Sequence, residues 1–426
     1  MSLIQLQESQ KNRLDWLLQT AYTAWRLFVK NELTNHAAAT AFYFLLSAAP
    51  LVLLLTFGAH LLAHLAETSA LASMVLAALY DQFQLERLIS LGVIPQKAAL
   101  SASGVGLLTL ALSSRGLINA LQSAFRVIFP DEAKRHFVFN WALPLIIIPL
   151  AFGLVGLTVT LQAVLNFLAS VEMIGVGRGA LFKGLNLVLG IGSIWGLLYL
   201  VLRRMPLRRP GALPSFVVSG LTTLTLGLLY TGFGHFYRVE KYQAVYGALG
   251  GVVFILIGAY LACLIFYFWS QFLYALTKVD VAALEKLFLG GADQGAGKLE
   301  NLVFARANRL LAKYGQTYAE GEILIREGDS SSEAYFLYSG KVGLFKTLGG
   351  GEKRLGELGE GELFGEMAYL LGERRTATVR AQGNVTALVL PPEMLEELMH
   401  YSAPLARRII ASLAGRLMRM NQATPG

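Results

Sequence analysis

Residues 364–381 read FGEMAYLLGERRTATVRA, and this polar segment stands out in a chain that is otherwise mostly apolar. A Gly-Glu pair precedes a short apolar run, and an Arg-Arg-Thr-Ala sequence follows it. The spacing predicts a short helix that begins about Glu366 and ends near Gly372. The first N–H groups of a helix have no partner inside the helix, and they favour a negative charge. We therefore expect an anion to bind beside this helix.

Two side chains define the chemistry of the expected site. Arg375 returns on the next strand with a planar guanidinium that suits phosphate oxygens. Glu366 beside an anion is unfavourable unless it accepts a hydrogen bond from a neutral hydroxyl, which a ribose supplies. A carboxylate for a sugar, a guanidinium for a phosphate and a helix end together predict a site for a compact nucleotide monophosphate.

The surrounding residues follow the period of β-strands. The sequence GEILIREGDSSSEAYFLYSGKVGLFKT at 321–347 alternates apolar and polar residues between turn signals, and NVTALVLP at 384–391 reads as a closing strand. Short strands with frequent turns predict an all-β barrel or jelly roll. The tail at 401–420 returns to the helical period. We expect this tail helix to act as a lid on the barrel.

These motifs resemble the phosphate-binding cassette of cyclic-nucleotide-binding domains, over about residues 299–420. The resemblance implies that Gly365 and Glu366 hold the ribose 2′-hydroxyl and that Arg375 pairs with the cyclic phosphate. It also implies that Thr376 and Ala377 donate from hydroxyl and amide groups. The full set of implied ligand-binding residues is Gly365, Glu366, Met367, Arg375, Thr376 and Ala377, and Gly328 and Gly340 are the implied turn glycines.

The resemblance leaves the ligand open between cyclic AMP and cyclic GMP. A Thr at position 376 resembles members that prefer cyclic GMP. One alternative is a barrel that has lost its ligand and serves only to pack or dimerise. Arg374 is expected to be a solvated neighbour of the site.

Composition separates the chain into two parts. It is 55% hydrophobic and 15% charged, with a mean hydropathy of +0.53. Residues 1–280 contain 19 Lys and Arg and 11 Asp and Glu, a net charge of +8, and residues 281–426 contain 17 of each. All of the excess positive charge therefore lies in the apolar part, where basic loops flank membrane helices. This distribution argues against a nucleic-acid partner.

The apolar part predicts an all-α membrane domain with six transmembrane helices. The predicted spans are 37–65, 99–121, 141–169, 185–202, 215–234 and 244–276. One set of flanking segments holds eleven Lys and Arg and the opposite set holds six. Because basic flanks stay in the cytoplasm, we expect a multi-pass protein of the inner membrane with both termini inside. The N-terminal 30 residues are amphipathic and carry no pattern of a secretory signal.

Three segments of this part resemble the YihY/BrkB family of six-helix inner-membrane proteins. They are AAATAFYFLLSAAPLVLLL at 37–55, SSRGLINALQSAFRVIF at 113–129 and YQAVYGALGGVVFILIGAYLACLIF at 242–266, within a match over about 15–277. The resemblance implies a transporter-like or envelope-associated protein. Many members carry Gly-Ala-Glu near the end of the last helix, where this chain has FWSQF at 268–272.

Polar residues inside the spans are the candidates for a membrane cavity. Arg115 either snorkels to the surface or lines such a cavity, and Asn119 shares its helix face. His60 and His64 have a spacing that can hold a metal, but no carboxylate or Cys accompanies them in their helix, so no metal site is predicted. The six histidines lie apart from any nucleophile. We therefore predict no catalytic residues and no enzyme, and we reject the ribonuclease label that some family members have carried.

The predicted architecture is a transmembrane domain at 1–280, a Gly-rich linker at 281–298 and a cyclic-nucleotide-binding domain at 299–426. The predicted function is transport of an unidentified envelope solute under the control of cyclic AMP or cyclic GMP, with no other cofactor. The predicted partners are the lipid bilayer and the nucleotide, and a homo-oligomer stays open. A ligand-gated pore and a membrane-anchored sensor or scaffold without transport are the alternatives.

Overall fold

A computed structural model describes residues 3–47, 103–130, 161, 179–206, 209–236, 250–289, 300, 303–304, 308–348 and 351–423. The chain forms two compact units. One contains Ala24–Leu276, and the other combines Met1–Thr23 with Thr277–Gly426. The second unit therefore takes in the beginning of the chain and the residues just before the predicted linker.

In its described residues, the membrane part is mainly helical. Apart from the single helical residue 161, its helices are α1 at Leu3–Lys30, α2 at 33–47, α3 at Ser103–Ile128, α4 at Gly179–Arg204, α5 at Ala212–Phe236 and α6 at Gly250–Leu289. Three segments in the described part of the chain are long and apolar enough to cross a membrane, namely Gly184–Arg204, Ala212–Phe233 and Gly250–Leu289.

The predicted spans can be compared with these helices where residues are described. The spans at 185–202 and 215–234 lie within α4 and α5, and most of the span at 244–276 lies within α6. Residues 37–47 belong to α2 and residues 103–121 to α3. The remainder of the first two spans, and all of 141–169 except residue 161, lie outside the described residues. The structure therefore supports a helical membrane part with three spanning candidates.

The core of the Ala24–Leu276 unit joins α1, α2, α3 and α6 through aromatic and aliphatic side chains. Its buried residues include Phe28, Leu33, Phe125, Ile128, Tyr267 and Leu273. Polar contacts also cross this core. The hydroxyls of Thr40 and Tyr267 are 2.6 Å apart, and the Asn31 amide donates to the Gln271 side-chain oxygen at 3.1 Å. Buried polar groups need such partners in an apolar environment.

The second unit contains an antiparallel sheet of six strands. They are β1 at Gly315–Tyr318, β2 at Ile323–Ile325, β3 at Ala334–Leu348, β4 at Gly351–Leu358, β5 at Leu363–Phe364 and β6 at Thr378–Leu390. The order is β1-β6-β3-β4, with β2 paired to β6 and β5 paired to β3. Gly328, one of the two expected turn glycines, lies in a turn with a φ of 86°. Gly340, the other, lies instead within β3, where the register with β6 shifts, and it has a φ of 92°. This arrangement is consistent with a cyclic-nucleotide-binding fold.

Four helices accompany the sheet, and successive residues of its strands serve two cores. The helices are α7 at Asn308–Tyr314, α8 at Glu366–Leu371, α9 at Pro392–Tyr401 and α10 at Ala403–Ala423. On β3, Tyr335 and Leu337 face one core, whereas Ala334 and Phe336 face the other. This alternation is the two-residue period of a strand, and it gives each face of the sheet its own hydrophobic core.

The end of α6 fills the second of these cores, which corrects the beginning of the predicted linker at 281–298. Residues 281–289 are helical, and Val281, Leu284 and Phe288 are 1%, 0% and 5% exposed. These positions recur at helical spacing, so they form one apolar face that the sheet and the helices α7, α9 and α10 cover. Residues 290–299, the Gly-rich part of the prediction, lie outside the described residues.

Candidate functional site

The connection from β5 to α8 requires a glycine at position 365. Gly365 has a φ of 76°, a conformation that residues with a Cβ rarely adopt. An added Cβ would lie 2.8 Å from Arg375 Nη1 and 3.0 Å from Ile325 Cδ1. Both the backbone conformation and the neighbouring atoms therefore exclude a side chain, and the Gly-Glu step of the motif has a structural reason.

Helix α8 has the limits that the sequence predicts. It begins at Glu366 and ends at Leu371, and Gly372 closes it in a left-handed conformation with a φ of 67°. The Gly372 N–H donates to Tyr369 O at 3.4 Å, and the Glu373 N–H donates to Ala368 O at 3.2 Å. These bonds satisfy carbonyl groups that the last turn would otherwise leave open. The short apolar run is thus a single capped helical segment.

Arg375 is held in place by three hydrogen bonds. Its Nε donates to Ser331 Oγ at 2.9 Å, its Nη1 to Gly365 O at 2.6 Å and its Nη2 to Glu333 O at 2.8 Å. Arg375 lies three residues before β6 begins, and not on that strand as the sequence suggested, because its own backbone pairs with Gly328 and Asp329. A guanidinium has five N–H donors, so two take no part in these hydrogen bonds, and Nη2 also lies 3.5 Å from the Glu333 carboxylate as an ion pair.

The environment of Arg375 is strongly polar although the residue is only 4% exposed. Burial lowers the pKa of the Arg375 guanidinium from its usual range, and the charges of Glu333, Asp329 and Glu366 oppose that shift. The guanidinium carbon lies 5.9 Å from the centre of the Tyr335 ring, within the range of a cation–π contact. A buried cation of this kind is suited to pair with an anionic ligand.

All six predicted ligand-binding residues line one cavity of about 230 Å³. Glu366 is 1% exposed and Arg375 is 4% exposed, while Thr376 lies at the solvent edge. Glu366 and Arg375 both line this cavity, and the negative charge of Glu366 opposes the lowering of the Arg375 pKa by burial. The structure therefore brings together the carboxylate and the guanidinium on which the nucleotide hypothesis depends. Arg374 is exposed, as expected of a solvated neighbour.

Sequence reasoning missed two groups of residues at this site. The first is Ser331 and Glu333, which position Arg375 from more than 40 residues away and form no recognisable motif. The second is the wall of the cavity, which comprises Ile325, Leu344, Lys346, Leu355, Gly356, Glu357, Leu358, Glu362, Phe364, Ala368 and Val379. The alternation of β3 carries a signal for Leu344 and Lys346, but the strand pairing is needed to read it.

The membrane unit contains a second cavity, an open polar groove of about 680 Å³. Asn119 lines this groove together with Lys30, Asn31, Glu32, Asn35, His36, Ala39, Tyr43, Gly116, Ala120, Ser123 and Val127. Arg115, the other candidate, is exposed and is not among the described residues that line it. Of the two sequence candidates, Asn119 is the one that the structure places in a cavity.

One edge of the groove has an unusual backbone. Glu32 has a φ of 49°, which is uncommon for a residue other than Gly and is seen most often at tight turns and functional sites. The Asn35 amide donates to its carboxylate at 3.0 Å. Asn31, which precedes Glu32, donates to Gln271, a fully buried residue of the FWSQF segment at 268–272. An amide thus occupies the segment where the family resemblance led us to look for an acid.

Metal ligands are not clustered in the part of the chain that the structure describes, where no group of three His, Cys, Asp or Glu residues converges. His60 and His64 lie outside the described residues. The predicted absence of a metal site stays a prediction.

Comparison with known families assigns both parts of the chain. The family model "Virulence factor BrkB" matches residues 24–286, and the model "Cyclic nucleotide-binding domain" matches residues 315–402. The first match covers more than half of the chain. The second covers the sheet from β1 to β6, the 230 Å³ cavity and α9.

Three curated relatives each match less than a third of this chain. The cyclic AMP receptor protein of Thermus thermophilus is 40% identical over 101 residues, which are 24% of this chain and 47% of the relative. The type II regulatory subunit of cAMP-dependent protein kinase from Drosophila melanogaster is 29% identical over 28% of this chain and 31% of its own. Human cGMP-dependent protein kinase 2 is 32% identical over 90 residues, which are 21% of this chain and 11% of the kinase. The chain thus spans less than half of each of these relatives.

Proposed function

Because the chain belongs to the virulence factor BrkB family and carries a cyclic nucleotide-binding domain, we propose that it transports an envelope solute across the cytoplasmic membrane under the control of a cyclic nucleotide. The observation that supports the nucleotide most strongly is the convergence of six predicted residues on one cavity, with Glu366 and Arg375 both buried in its wall. The proposal includes six spans, a closed barrel and cytoplasmic termini.

In the proposed complex, each polar group of the cavity contacts one part of the nucleotide. The two remaining N–H groups of Arg375 donate to the phosphate, and the Glu366 carboxylate accepts from the ribose 2′-hydroxyl. Gly365 lets the backbone approach the sugar, and Thr376 and Ala377 offer donors beside the phosphate. A cyclic phosphodiester carries one negative charge, which matches one guanidinium. The same geometry accepts cyclic AMP and cyclic GMP.

Regulation needs a connection between this cavity and the membrane unit, and α6 supplies one. Its end contacts α10, the helix expected to act as a lid, because Arg408 of α10 donates to Phe288 O and because Leu405 and Ile409 pack in the same core. None of the described α10 residues lines the cavity, so α10 does not cover it in this structure. Phe288 also lies against Phe336, with ring centres 4.3 Å apart. A movement of α10 on nucleotide binding would therefore act on α6, a helix that continues into the membrane unit, without passing through the Gly-rich segment.

Ion pairs add to this connection. Lys278 of α6 pairs with Glu397 of α9, and Asp280 of α6 pairs with Arg309 and Lys313 of α7. These contacts join α6 to α7, which precedes the strands in the sequence, and to α9, which follows them. A nucleotide changes the conformation of the membrane unit only to the extent that it favours one arrangement of these helices, typically by about 1–3 kcal/mol.

The polar groove beside Asn119 supports transport over a purely anchoring role. Amide, imidazole and hydroxyl groups line it, although it lies in a unit whose surface is largely apolar. Polar side chains in a membrane protein usually face a pathway or a binding cavity. We propose that Asn119 contacts the solute there and that Arg115 lies outside the pathway.

Calorimetry on the full chain in detergent tests the nucleotide part of the proposal. Cyclic AMP or cyclic GMP is expected to bind at a single site per chain, and 5′-AMP, whose phosphate is not cyclised, is the matched control. An absence of heat and of thermal stabilisation with both cyclic nucleotides would refute nucleotide control. Ion flux through reconstituted vesicles then separates a transporter from a ligand-gated pore, because only a pore passes ions at channel rates.

A further inference from the structure

Helix α1 exposes an unusual apolar face. Leu14, Leu18, Trp25 and Val29 are 58%, 50%, 58% and 57% exposed. Together with Ala21 they recur every three or four residues, so they form one stripe along the helix, with Leu17 at its edge. A surface helix of a soluble protein normally presents polar residues on its outer side. The outer side of α1 is instead suited to an apolar medium.

The opposite face of α1 already has partners. Gln19, Thr20, Thr23 and Ala24 are buried. In the unit that contains the nucleotide cavity, Gln19 Nε2 donates to Val303 O and Gln19 Oε1 accepts from Arg309, both at 3.3 Å. The exposed stripe is therefore not the packing face of the helix, and within it the Trp25 ring stacks on Phe28 of the same helix.

Basic residues accompany the stripe. Residues 11–30 contain Lys11, Arg13, Arg26 and Lys30 against a single acid, Asp15. A helix with an apolar stripe, an exposed Trp and flanking Lys and Arg residues is typical of segments that lie in the headgroup region of a bilayer. Such basic residues are attracted to the anionic lipids of the cytoplasmic leaflet.

The chain leads from this helix directly into the membrane unit. Only two residues separate α1 from α2, whose side chains Phe42, Phe44 and Leu46 are 53%, 43% and 47% exposed, as lipid-facing residues are. The stripe on α1 is thus continuous in sequence with a lipid-facing surface. A second copy of the chain is a less favourable partner for the stripe, because the basic residues of the two helices would lie close together and repel each other.

We propose that the stripe of Leu14, Leu18, Ala21, Trp25 and Val29 binds the surface of an anionic bilayer. The helix then has two tasks: its outer face lies among lipid headgroups, and its inner face holds the nucleotide-binding unit through Gln19. This anchoring is independent of the nucleotide and of any solute, so it can be tested separately from the proposed function.

Spin-label accessibility on the full chain tests the proposal. In a Cys263→Ala background, a nitroxide is attached at Ala21→Cys, and Lys353→Cys on the exposed β3–β4 hairpin serves as the matched control. The protein is placed in nanodiscs of equal parts phosphatidylglycerol and phosphatidylcholine. Molecular oxygen concentrates in lipid, whereas a nickel ethylenediaminediacetate complex stays in water.

We expect the label at position 21 to collide more often with oxygen than with the nickel complex and the label at position 353 to show the reverse. The preference at position 21 should weaken in nanodiscs of phosphatidylcholine alone. A label at Leu18→Cys gives the same test if the Ala21 variant does not fold. Equal exposure of positions 21 and 353 to the nickel complex would overturn the proposal. Close label-to-label contacts between two chains would overturn it as well, in favour of a second copy.

Discussion

Replacing Arg375 by Lys provides the sharpest test of the nucleotide site. The substitution keeps a positive charge in the cavity but removes the planar fork, so the side chain cannot donate to Ser331, Gly365 and Glu333 while it also reaches a phosphate. Arg374→Lys is the matched control, because Arg374 is adjacent in sequence, exposed and not among the residues that line the cavity.

The expected loss follows from the hydrogen bonds. Three of the five N–H donors of Arg375 form hydrogen bonds to the protein, and we propose that the other two donate to the ligand. A hydrogen bond to a charged group contributes about 1.5–3 kcal/mol. Loss of one such bond weakens binding by about 10- to 150-fold, since about 1.4 kcal/mol corresponds to a factor of ten. Arg375→Ala, which loses both bonds and the charge, should weaken binding at least as much.

Calorimetric titration of the two full-length Lys variants with cyclic AMP and cyclic GMP measures this loss. Arg374→Lys should bind like the unmodified chain. A thermal melt of each variant identifies any loss of folding, because Arg375 also holds the Gly365 carbonyl. If a folded Arg375→Lys variant bound the nucleotide within twofold of the unmodified chain, the guanidinium would not be the phosphate ligand and the reasoning would be wrong.

Three further predictions concern other parts of the chain. Gly365→Ala should weaken nucleotide binding at least about tenfold, because a left-handed conformation costs about 1–2 kcal/mol for a residue with a Cβ and because that Cβ would displace Arg375. Calorimetry measures this loss. Gly359→Ala is the control, because its added Cβ meets no atom within 4 Å. The free energy of unfolding in urea should be about 5–9 kcal/mol lower for a soluble fragment 299–426 than for 277–426. The shorter fragment lacks the buried side chains of Val281, Leu284 and Phe288, which contribute about 1.5–3 kcal/mol each. Equal urea midpoints for the two fragments would contradict the packing of α6. Reporter fusions after Gly426 should be active only with a cytoplasmic reporter, and activity of a periplasmic reporter there would contradict the charge distribution.

The linker prediction shows where sequence reasoning stops. Val281, Leu284 and Phe288 have the spacing of an apolar helix face, but hydropathy falls after Lys278 and glycines follow at 290 and 291. Both observations suggested a flexible connection. An apolar face becomes part of a core only if another surface covers it, and here that surface comes from Phe336, Leu395 and Ile409, far along the chain. The local pattern could not identify this partner.

The sequence by itself determined the apolar, helical character of the first part, the strand-rich second part, and the limits of the short helix within 364–381. These features are local, because about 20 apolar residues, a two-residue alternation and a Gly-Glu…Arg spacing each act through neighbours along the chain. Only the tertiary structure decided that Ser331 and Glu333 hold Arg375, that Asn119 and not Arg115 lines the groove, and that α6 enters the nucleotide unit. Such contacts join residues far apart in sequence, and they depend on strand register and helix packing.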